Sequence, residues 1–210
     1  MKEVKVDERK WSGVPSDAEI DETVKEIEKR GIKVIVVEDR EKALEKLKEL
    51  IPAGAEIMNG TSTTLIEVGF VDFLKGGKHK WKNLHEAILA EKDQEKQGEL
   101  RRKSVTAEYF LSGVNAIAKT GELVSNDASG SRVGAWPFAA KNLVLVSGVN
   151  KIVPSLDDAI KRIREYALPI ENERAKKVYG MGSRLGKMVI LFNEYPGRAT
   201  LVLVKERLGF

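Results

Sequence analysis

The sequence contains no cysteine, and only two of its 210 residues are histidines. The absence of cysteine excludes disulfide bonds, a cysteine nucleophile, a thiolate zinc site and a cysteine-ligated iron–sulfur cluster. The two histidines, His79 and His85, lie six residues apart in a lysine-rich stretch, which is the wrong spacing for one helical face. We therefore expect no metal site in this chain.

Long hydrophobic runs are also missing. No stretch approaches the ~20 apolar residues of a membrane-spanning helix, and the charged start MKEVKVDERKW lacks the apolar core of a secretory signal. We therefore expect a cytoplasmic protein without membrane insertion. The 36 lysines and arginines nearly balance 32 acidic residues and alternate with them in sign, which indicates a solvated surface and no nucleic-acid partner. The abundance of lysine and glutamate is compatible with a thermophilic source.

Helix and strand signals alternate along the first part of the chain. Ser16 and Glu19 form a capping box for a helix that Gly31 ends. The β-branched run KVIVVED follows as a strand that we expect to be buried on both faces. A second helix, the strand AEIMNG and a short third helix come next. This order is typical of an α/β fold with a mainly parallel sheet.

The second half of the chain predicts further strands at AEYFLSG, GELVS and NLVLVSG. The runs MVILF and ATLVLVK flank the turn NEYPGR and predict a closing antiparallel hairpin. We predict a single domain over residues 1–210, with about the first 30 residues as a helical extension. Its predicted fold is a three-layer α/β/α, Rossmann-like mixed sheet, mostly parallel, with an antiparallel C-terminal hairpin.

The first candidate site lies where the strand AEIMNG runs into a helix, at Gly60, Thr61, Ser62 and Thr63. Free N–H groups and the positive end of a helix dipole favour an anion there, and α/β sheets bind ligands at the carboxyl ends of their strands. Ordinary capping by serine or threonine is the alternative. The number of hydroxyl and amide side chains around Gly60 exceeds what one cap needs.

Three other candidates follow strands. The turn at Glu122 presents a carboxylate for general-base or nucleophilic chemistry, or is plain turn chemistry with a solvated side chain. The loop Asn126–Arg132 suits phosphate or carboxylate recognition through its guanidinium. Lys151 follows the clearest strand, at the expected ligand crevice, with a surface charge as the alternative. The candidate ligand-binding residues are Gly60, Thr61, Ser62, Thr63, Thr120, Gly121, Asn126, Asp127, Gly130, Ser131, Arg132, Asn150 and Lys151, and the candidate catalytic residue is Glu122.

In this order, the segments EIMNGTSTTLIEVGFVDFL, FLSGVNAIAKTGELVSNDASGSRVGAWPF and NLVLVSGVNKIVPSLDDAIKRI resemble the LUD (lactate-utilisation) domain family, including proteins of the lactate utilisation protein C type. The resemblance extends from about Ala18 to Phe210. It implies a fold similar to that of ribose-phosphate isomerases, glucosamine-phosphate deaminases and CoA-transferases. It also implies a role in oxidising L-lactate to pyruvate alongside iron–sulfur partner subunits. The Gly60–Thr63, Thr120–Glu122 and Asn126–Arg132 stretches belong to the family's signature.

One departure from the family pattern concerns redox chemistry. Many members carry a cysteine-rich segment before the last two strands, whereas this chain has ERAKKVYGMGSRLGKMVILF. The comparison implies no iron–sulfur cluster or thiolate metal site in this chain, so electron transfer would need a partner. The sequence identifies no cofactor, and a homodimer is only the base-rate expectation.

The leading functional hypothesis is a lactate-utilisation protein that binds a small anionic metabolite at the carboxyl ends of its strands. One alternative is a stand-alone isomerase, transferase or ligase that uses Glu122 on a phosphosugar, acyl-CoA or folate-like substrate. Transfer of that role to Glu122 rests on analogy with the superfamily. The other alternative is a non-catalytic assembly subunit of an iron–sulfur oxidoreductase.

Overall fold

The computed structural model describes residues 5–210, in which helices and strands alternate. The strands are β1 (Lys33–Val37), β2 (Glu56–Asn59), β3 (Lys82–Asn83), β4 (Tyr109–Gly113), β5 (Ala116–Ala118), β6 (Leu123–Asp127), β7 (Asn142–Gly148), β8 (Ile152–Val153), β9 (Lys187–Leu191) and β10 (Ala199–Val204). The α-helices are α1 (Glu8–Trp11), α2 (Asp17–Lys29), α3 (Arg40–Leu50), α4 (Thr63–Glu67), α5 (Phe70–Lys75), α6 (Leu84–Ala90), α7 (Gln94–Lys103), α8 (Leu156–Arg162) and α9 (Leu168–Tyr179). A π-helical turn at Ile163–Ala167 joins α8 to α9.

A six-stranded sheet with the order β1-β10-β7-β4-β2-β3 forms the centre of the protein, and all its neighbouring strands run parallel. Successive side chains of a strand point to opposite faces. In β7, Leu143 and Leu145 therefore join one apolar cluster, and Val144 and Val146 join another on the opposite face. Burial on both faces is the mark of a parallel sheet covered on both sides. The mostly parallel α/β fold predicted from the sequence is confirmed.

Helices cover both faces of this sheet. Helix α3 packs Ala43 and Leu47 into the cluster on one face, where α4 and α5 also lie. Helix α2 contributes Ile20 and Ile27 to the cluster on the other face, beside the fully buried Trp136. Helix α2 is therefore part of the core and does not project from it. Within residues 5–210, no helix has the length and apolar character needed to cross a bilayer.

Two predictions about the strands are wrong. Strand β1 was expected to be buried on both faces but lies at a sheet edge, where Lys33 and Val36 are exposed. The predicted C-terminal hairpin does not form, because β10 pairs in parallel with β1 and β7 while β9 pairs antiparallel with β6. The run Leu201–Val204 is fully buried, so it occupies the sheet interior, whereas the half-exposed β9 fits a sheet edge.

A second sheet with the order β8-β5-β6-β9 packs beside the first. Strand β4 continues into β5, and β7 continues into β8, so two neighbouring strands of the first sheet feed two neighbouring strands of the second. Ile117 of β5 and Ile152 of β8 pair in parallel and face the main core. The carboxyl ends of β4 and β7 therefore lie at the junction of the two sheets.

Candidate functional site

A cavity of about 510 Å³ opens at the carboxyl ends of β2, β4 and β6. Its walls come from the Gly60–Thr64 stretch after β2, the Gly113–Asn115 segment after β4, the loop after β6 and helix α9. The volume lies within the ~300–1,000 Å³ typical of small-molecule sites. Helix α4, which begins at this edge, has only five residues, so its dipole attracts an anion less strongly than the sequence pattern predicts.

Three cationic side chains converge on the backbone of the Gly113–Asn115 segment. Arg132 donates from Nη1 to the first carbonyl oxygen at 2.8 Å, Lys151 donates from Nζ to the second at 2.9 Å, and Arg162 donates from Nη1 to the third. Within residues 5–210, none of the three forms an ion pair with a carboxylate. Of the three, Arg132 and Lys151 line the cavity, and Arg162 does not.

Lys151 is the most deeply buried basic side chain that lines the cavity, with 3% of its surface exposed. Its Nζ lies 2.8 Å from Thr64 Oγ1 and 2.9 Å from Val114 O. Burial, followed by repulsion from Arg162 and Arg132, holds the pKa of Lys151 well below its usual value. The negative charge of Glu67 acts in the opposite direction on the pKa of Lys151. The Glu67 carboxylate accepts a hydrogen bond from the Gly209 N–H at 2.7 Å.

This burial predicts a pH-dependent contribution of Lys151 to stability. The unfolded chain has a lysine with the usual pKa of 10.5, while folded Lys151 loses its proton at lower pH. Between these two pKa values the unfolded state binds more protons, so the free energy of unfolding rises with pH, by at most about 1.4 kcal/mol per pH unit. The Lys151→Met variant lacks this contribution. Urea unfolding across this window should show wild-type stability increasing relative to the variant, and parallel pH profiles would contradict the assignment.

Arg132 is held in one orientation by the groups around it. A Cβ atom at Gly60 would lie 2.5 Å from Cγ of Arg132, so only glycine leaves room for its aliphatic stem. Nη2 donates to Asn115 Oδ1 at 3.1 Å and to the Asn126 carbonyl, while Nη1 bonds the Gly113–Asn115 segment. The terminal nitrogens of the guanidinium are thus committed to the protein. Burial lowers the pKa of Arg132, and the nearby charge of Asp127 opposes that effect.

Asp127 shapes the loop that carries Arg132. Its carboxylate accepts hydrogen bonds from the N–H groups of Ser129 at 2.8 Å, Gly130 at 3.0 Å and Arg132 at 2.7 Å. Burial acts to raise the pKa of Asp127, but these backbone donors outweigh it and the pKa lies below its ordinary value. Gly130 takes a φ of 94° in this turn. Asp127 and Gly130 therefore fold the loop around the carboxylate.

The outer part of the cavity differs from its cationic floor. Leu89 and Met181, 66% and 69% exposed, line the mouth together with Tyr179. On α9, Arg174 pairs with Glu171 through two 2.7 Å hydrogen bonds, so these charges neutralise one another. In the described part of the chain, no cluster of three or more histidine or carboxylate side chains is arranged to hold a metal ion.

The sequence model of the LUD domain matches residues 20–183. The chain belongs to the LUD domain family. A crystal structure of a DUF162 family protein from Deinococcus radiodurans is similar in fold, with a TM-score of 0.56 over 90% of this chain and 99% of that chain at 10% sequence identity. Ribose 5-phosphate isomerase A from Neisseria gonorrhoeae matches with a TM-score of 0.34 at 16% identity over 56% of this chain and 54% of that chain. Translation initiation factor eIF-2B from Pyrococcus horikoshii OT3 matches with a TM-score of 0.38 at 19% identity, over 56% and 48% of the two chains. No curated protein matches the sequence.

The fold of this LUD domain brings most of the predicted binding residues together. The predicted residues that line the cavity are Gly60, Thr61, Ser62, Thr63, Asn126, Asp127, Ser131, Arg132 and Lys151. The predicted residues outside its lining are Thr120, Gly121, Glu122, Gly130 and Asn150. Asn150 is fully buried, donates to Ser12 Oγ at 3.0 Å and accepts from the Leu208 N–H at 3.0 Å. It therefore ties the last residues of the chain to the loop after α1.

The turn Thr120–Glu122 lies against helix α2. Arg30, which follows α2, donates from Nη2 to Glu122 Oε1 at 2.6 Å and from Nε to the Thr120 carbonyl at 2.8 Å. A Cβ atom at Gly121 would lie 2.6 Å from the Glu26 carbonyl oxygen, so the turn and the helix are in close contact. Within residues 5–210, this arrangement gives Glu122 a structural partner and no place in the cavity.

Replacing Glu122 by glutamine tests that placement. The amide keeps the shape of the side chain but removes the charge opposite Arg30, so the free energy of unfolding should fall by about 1–2 kcal/mol. Ligand affinity should stay unchanged, as measured by calorimetry. Glu108→Gln is the matched control, because Glu108 pairs with Lys141 at the surface and its loss should cost about 0.5 kcal/mol or less. A large loss of affinity in Glu122→Gln alone would restore the catalytic hypothesis.

Asn115 and Arg162, which bond to the residues around the cavity, were not predicted from the sequence. Asn115 Oδ1 accepts from Ser125 Oγ at 3.0 Å, the Asn126 N–H at 2.9 Å and Arg132. The sequence does contain a signal for Asn115. The tetrapeptide SGVN occurs at residues 112–115 and again at 147–150, where β4 and β7 leave the first sheet. Arg162 gave no such signal, since a lysine–arginine pair near a helix end normally indicates a solvated face.

Proposed function

We propose that this LUD domain binds a small anionic metabolite in the cavity and supports L-lactate oxidation together with iron–sulfur partner subunits. The observation that supports anion binding is the guanidinium of Arg132, which lines the cavity and forms no ion pair with a carboxylate in the described chain. Burying cations without a counterion is costly. A bound carboxylate would supply the missing negative charge and relieve that cost.

The groups around Arg132 indicate how the anion is held. A guanidinium has five N–H donors, and the protein acceptors engage its two terminal nitrogens. Its Nε–H has no acceptor in the described chain and is available to a ligand. The hydroxyl groups of Thr61 and Ser131 line the same cavity and add neutral donors.

The lactate assignment is supported by membership of the LUD domain family together with the resemblance described above. L-lactate carries one carboxylate and one hydroxyl group, which match a site of cations and hydroxyl donors. Its oxidation releases two electrons, and a chain without cysteine has no thiolate to bind an iron–sulfur cluster. The proposal therefore places the electron acceptor on partner subunits.

Binding of L-lactate compared with L-lactamide tests the anion site. The two molecules are nearly isosteric, but only lactate is charged. L-lactate at 100 times its dissociation constant should stabilise the fold by about 2.7 kcal/mol in a thermal-unfolding assay, and L-lactamide should give no shift. Equal shifts, or none with either molecule, would contradict anion binding. Lactate-dependent dye reduction that needs added iron–sulfur subunits tests the second part of the proposal, and full activity of the isolated chain would refute it.

A further inference from the structure

The hydrogen bonds of Lys151 match those of an uncharged amine. A neutral amine has two N–H donors and one lone pair, whereas an ammonium group has three donors. Thr64 Oγ1 at 2.8 Å and Val114 O at 2.9 Å are the two acceptors around Nζ. Within residues 5–210, no third acceptor is bonded to it. This geometry satisfies both donors of the neutral form and leaves its lone pair for a reacting carbon.

The surroundings of Lys151 favour nucleophilic behaviour. It is the only lysine among the described residues that line the cavity. The charged groups that act on it are Arg132 and Arg162, both cationic, and Glu67, whose carboxylate is bonded to the Gly209 N–H. A lysine that is desolvated and next to another cation is activated as a nucleophile, because both effects favour the amine over the ammonium ion.

We propose that Lys151 captures a 2-oxo acid as an imine between Nζ and the carbonyl carbon. This inference rests on the proposed function, since the carboxylate of the 2-oxo acid would occupy the anion site next to Arg132. A 2-oxo acid has its electrophilic carbon directly bonded to its carboxylate. One molecule can therefore engage the guanidinium with one group and present a carbonyl to the neighbouring amine with the other.

The reaction balances without an oxidant or a reductant. The lone pair of Nζ forms the C–N bond while the π electrons of the carbonyl move to its oxygen. One proton passes from nitrogen to that oxygen to give a carbinolamine, and the Thr64 hydroxyl at 2.8 Å from Nζ is placed to relay it. The second proton of the amine then passes to the same oxygen as the nitrogen lone pair forms the C=N bond. The C–O bond then breaks and the oxygen leaves as water, giving the imine. L-lactate has an alcohol at the corresponding carbon and cannot react in this way.

Reductive trapping of the full chain tests the inference. Pyruvate and sodium cyanoborohydride, which reduces an iminium ion to a stable secondary amine, should add the mass of one reduced pyruvate unit, and peptide mapping should locate it at Lys151. L-lactate with the same reagent should add nothing, and excess L-lactate should suppress trapping of pyruvate. Lys151→Met should abolish the adduct. Lys205→Met, which removes a lysine paired with Asp17 and Glu38, should retain it.

The outcomes separate this inference from the proposed function. If calorimetry shows that pyruvate binds but no adduct forms, or if the adduct is spread over surface lysines, imine formation is wrong and anion binding stands. If neither pyruvate nor L-lactate binds, the proposed function fails and the inference fails with it. The wild-type peptide map and the competition by L-lactate decide the question even if Lys151→Met does not fold, which circular dichroism would show.

Discussion

Replacing Arg132 by methionine should lower the free energy of unfolding by about 2–4 kcal/mol and reduce the affinity for L-lactate at least about 100-fold. Methionine keeps much of the apolar stem but has no donors. The carbonyl oxygens of Gly113 and Asn126 and the Asn115 side chain would each lose a charge-assisted hydrogen bond. Unpaired buried acceptors cost about 1–3 kcal/mol each, with partial relief where water can enter. The cation that we propose contacts the carboxylate of L-lactate would be lost as well.

Two further variants make the Arg132 result specific. Arg101→Met removes another cation that lines the cavity, from a helix with no buried residues, and should change stability by about 0.5 kcal/mol or less. Arg132→Lys keeps the charge but cannot reproduce the planar guanidinium contacts, so its stability and affinity should fall between those of wild type and Arg132→Met. Urea unfolding and calorimetry measure both quantities. Undiminished lactate binding in Arg132→Met would rule out the site as described.

Replacing Gly60 by alanine should lower the free energy of unfolding by about 1–3 kcal/mol and weaken L-lactate binding at least about tenfold. The added Cβ would lie 2.5 Å from Cγ and 2.6 Å from Cδ of Arg132. The guanidinium is bonded on both sides, so the stem cannot swing away without breaking contacts to Gly113 and Asn126. The substitution therefore moves the guanidinium that we propose binds the anion, without changing any charge.

Gly134→Ala is the matched control for Gly60→Ala. A Cβ atom at Gly134 would meet nothing within 4 Å, and its backbone conformation suits any residue. The same chemical change there should leave lactate affinity unchanged and stability within about 0.5 kcal/mol of wild type. Similar losses in both variants would mean that the contact between Gly60 and Arg132 is not the cause.

Local sequence signals predicted the helices of this fold well. Ser16, Asp39 and Ser155 each accept the expected hydrogen bond from a backbone N–H three residues later, at the start of α2, α3 and α8. A cap depends on a few neighbouring residues, so the sequence contains the whole interaction. Strand pairing is different, because β10 pairs with β1 near the start of the chain and with β7, and not with the strand that precedes it. The short distance between β9 and β10 along the sequence predicted a hairpin. The complete burial of β10 instead fits the interior of the parallel sheet.

In the candidate site, too, local sequence signals were predictive and long-range contacts could not be predicted. The residues at Gly60–Thr63 and Asn126–Arg132 could be selected from the sequence, because carboxyl ends of strands in an α/β sheet collect at one edge. The partner of Glu122 could not be selected, since Arg30 lies 92 residues away along the chain. Arg162 became important only through burial, which depends on how α8 packs against the second sheet. Long-range contacts therefore decided which charged side chains are buried against the Gly113–Asn115 segment.

The π-helical turn at Ile163–Ala167 fixes the rotational phase of α9. An α-helix advances by about 100° per residue, so a single extra residue in one turn rotates everything that follows by that angle. Leu168, Glu171 and Ala175 line the cavity along one stripe of α9. Deleting one residue from the turn would convert it to regular α-helix and carry that stripe about a quarter-turn away. The π-helical turn thus decides which face of α9 lines the cavity.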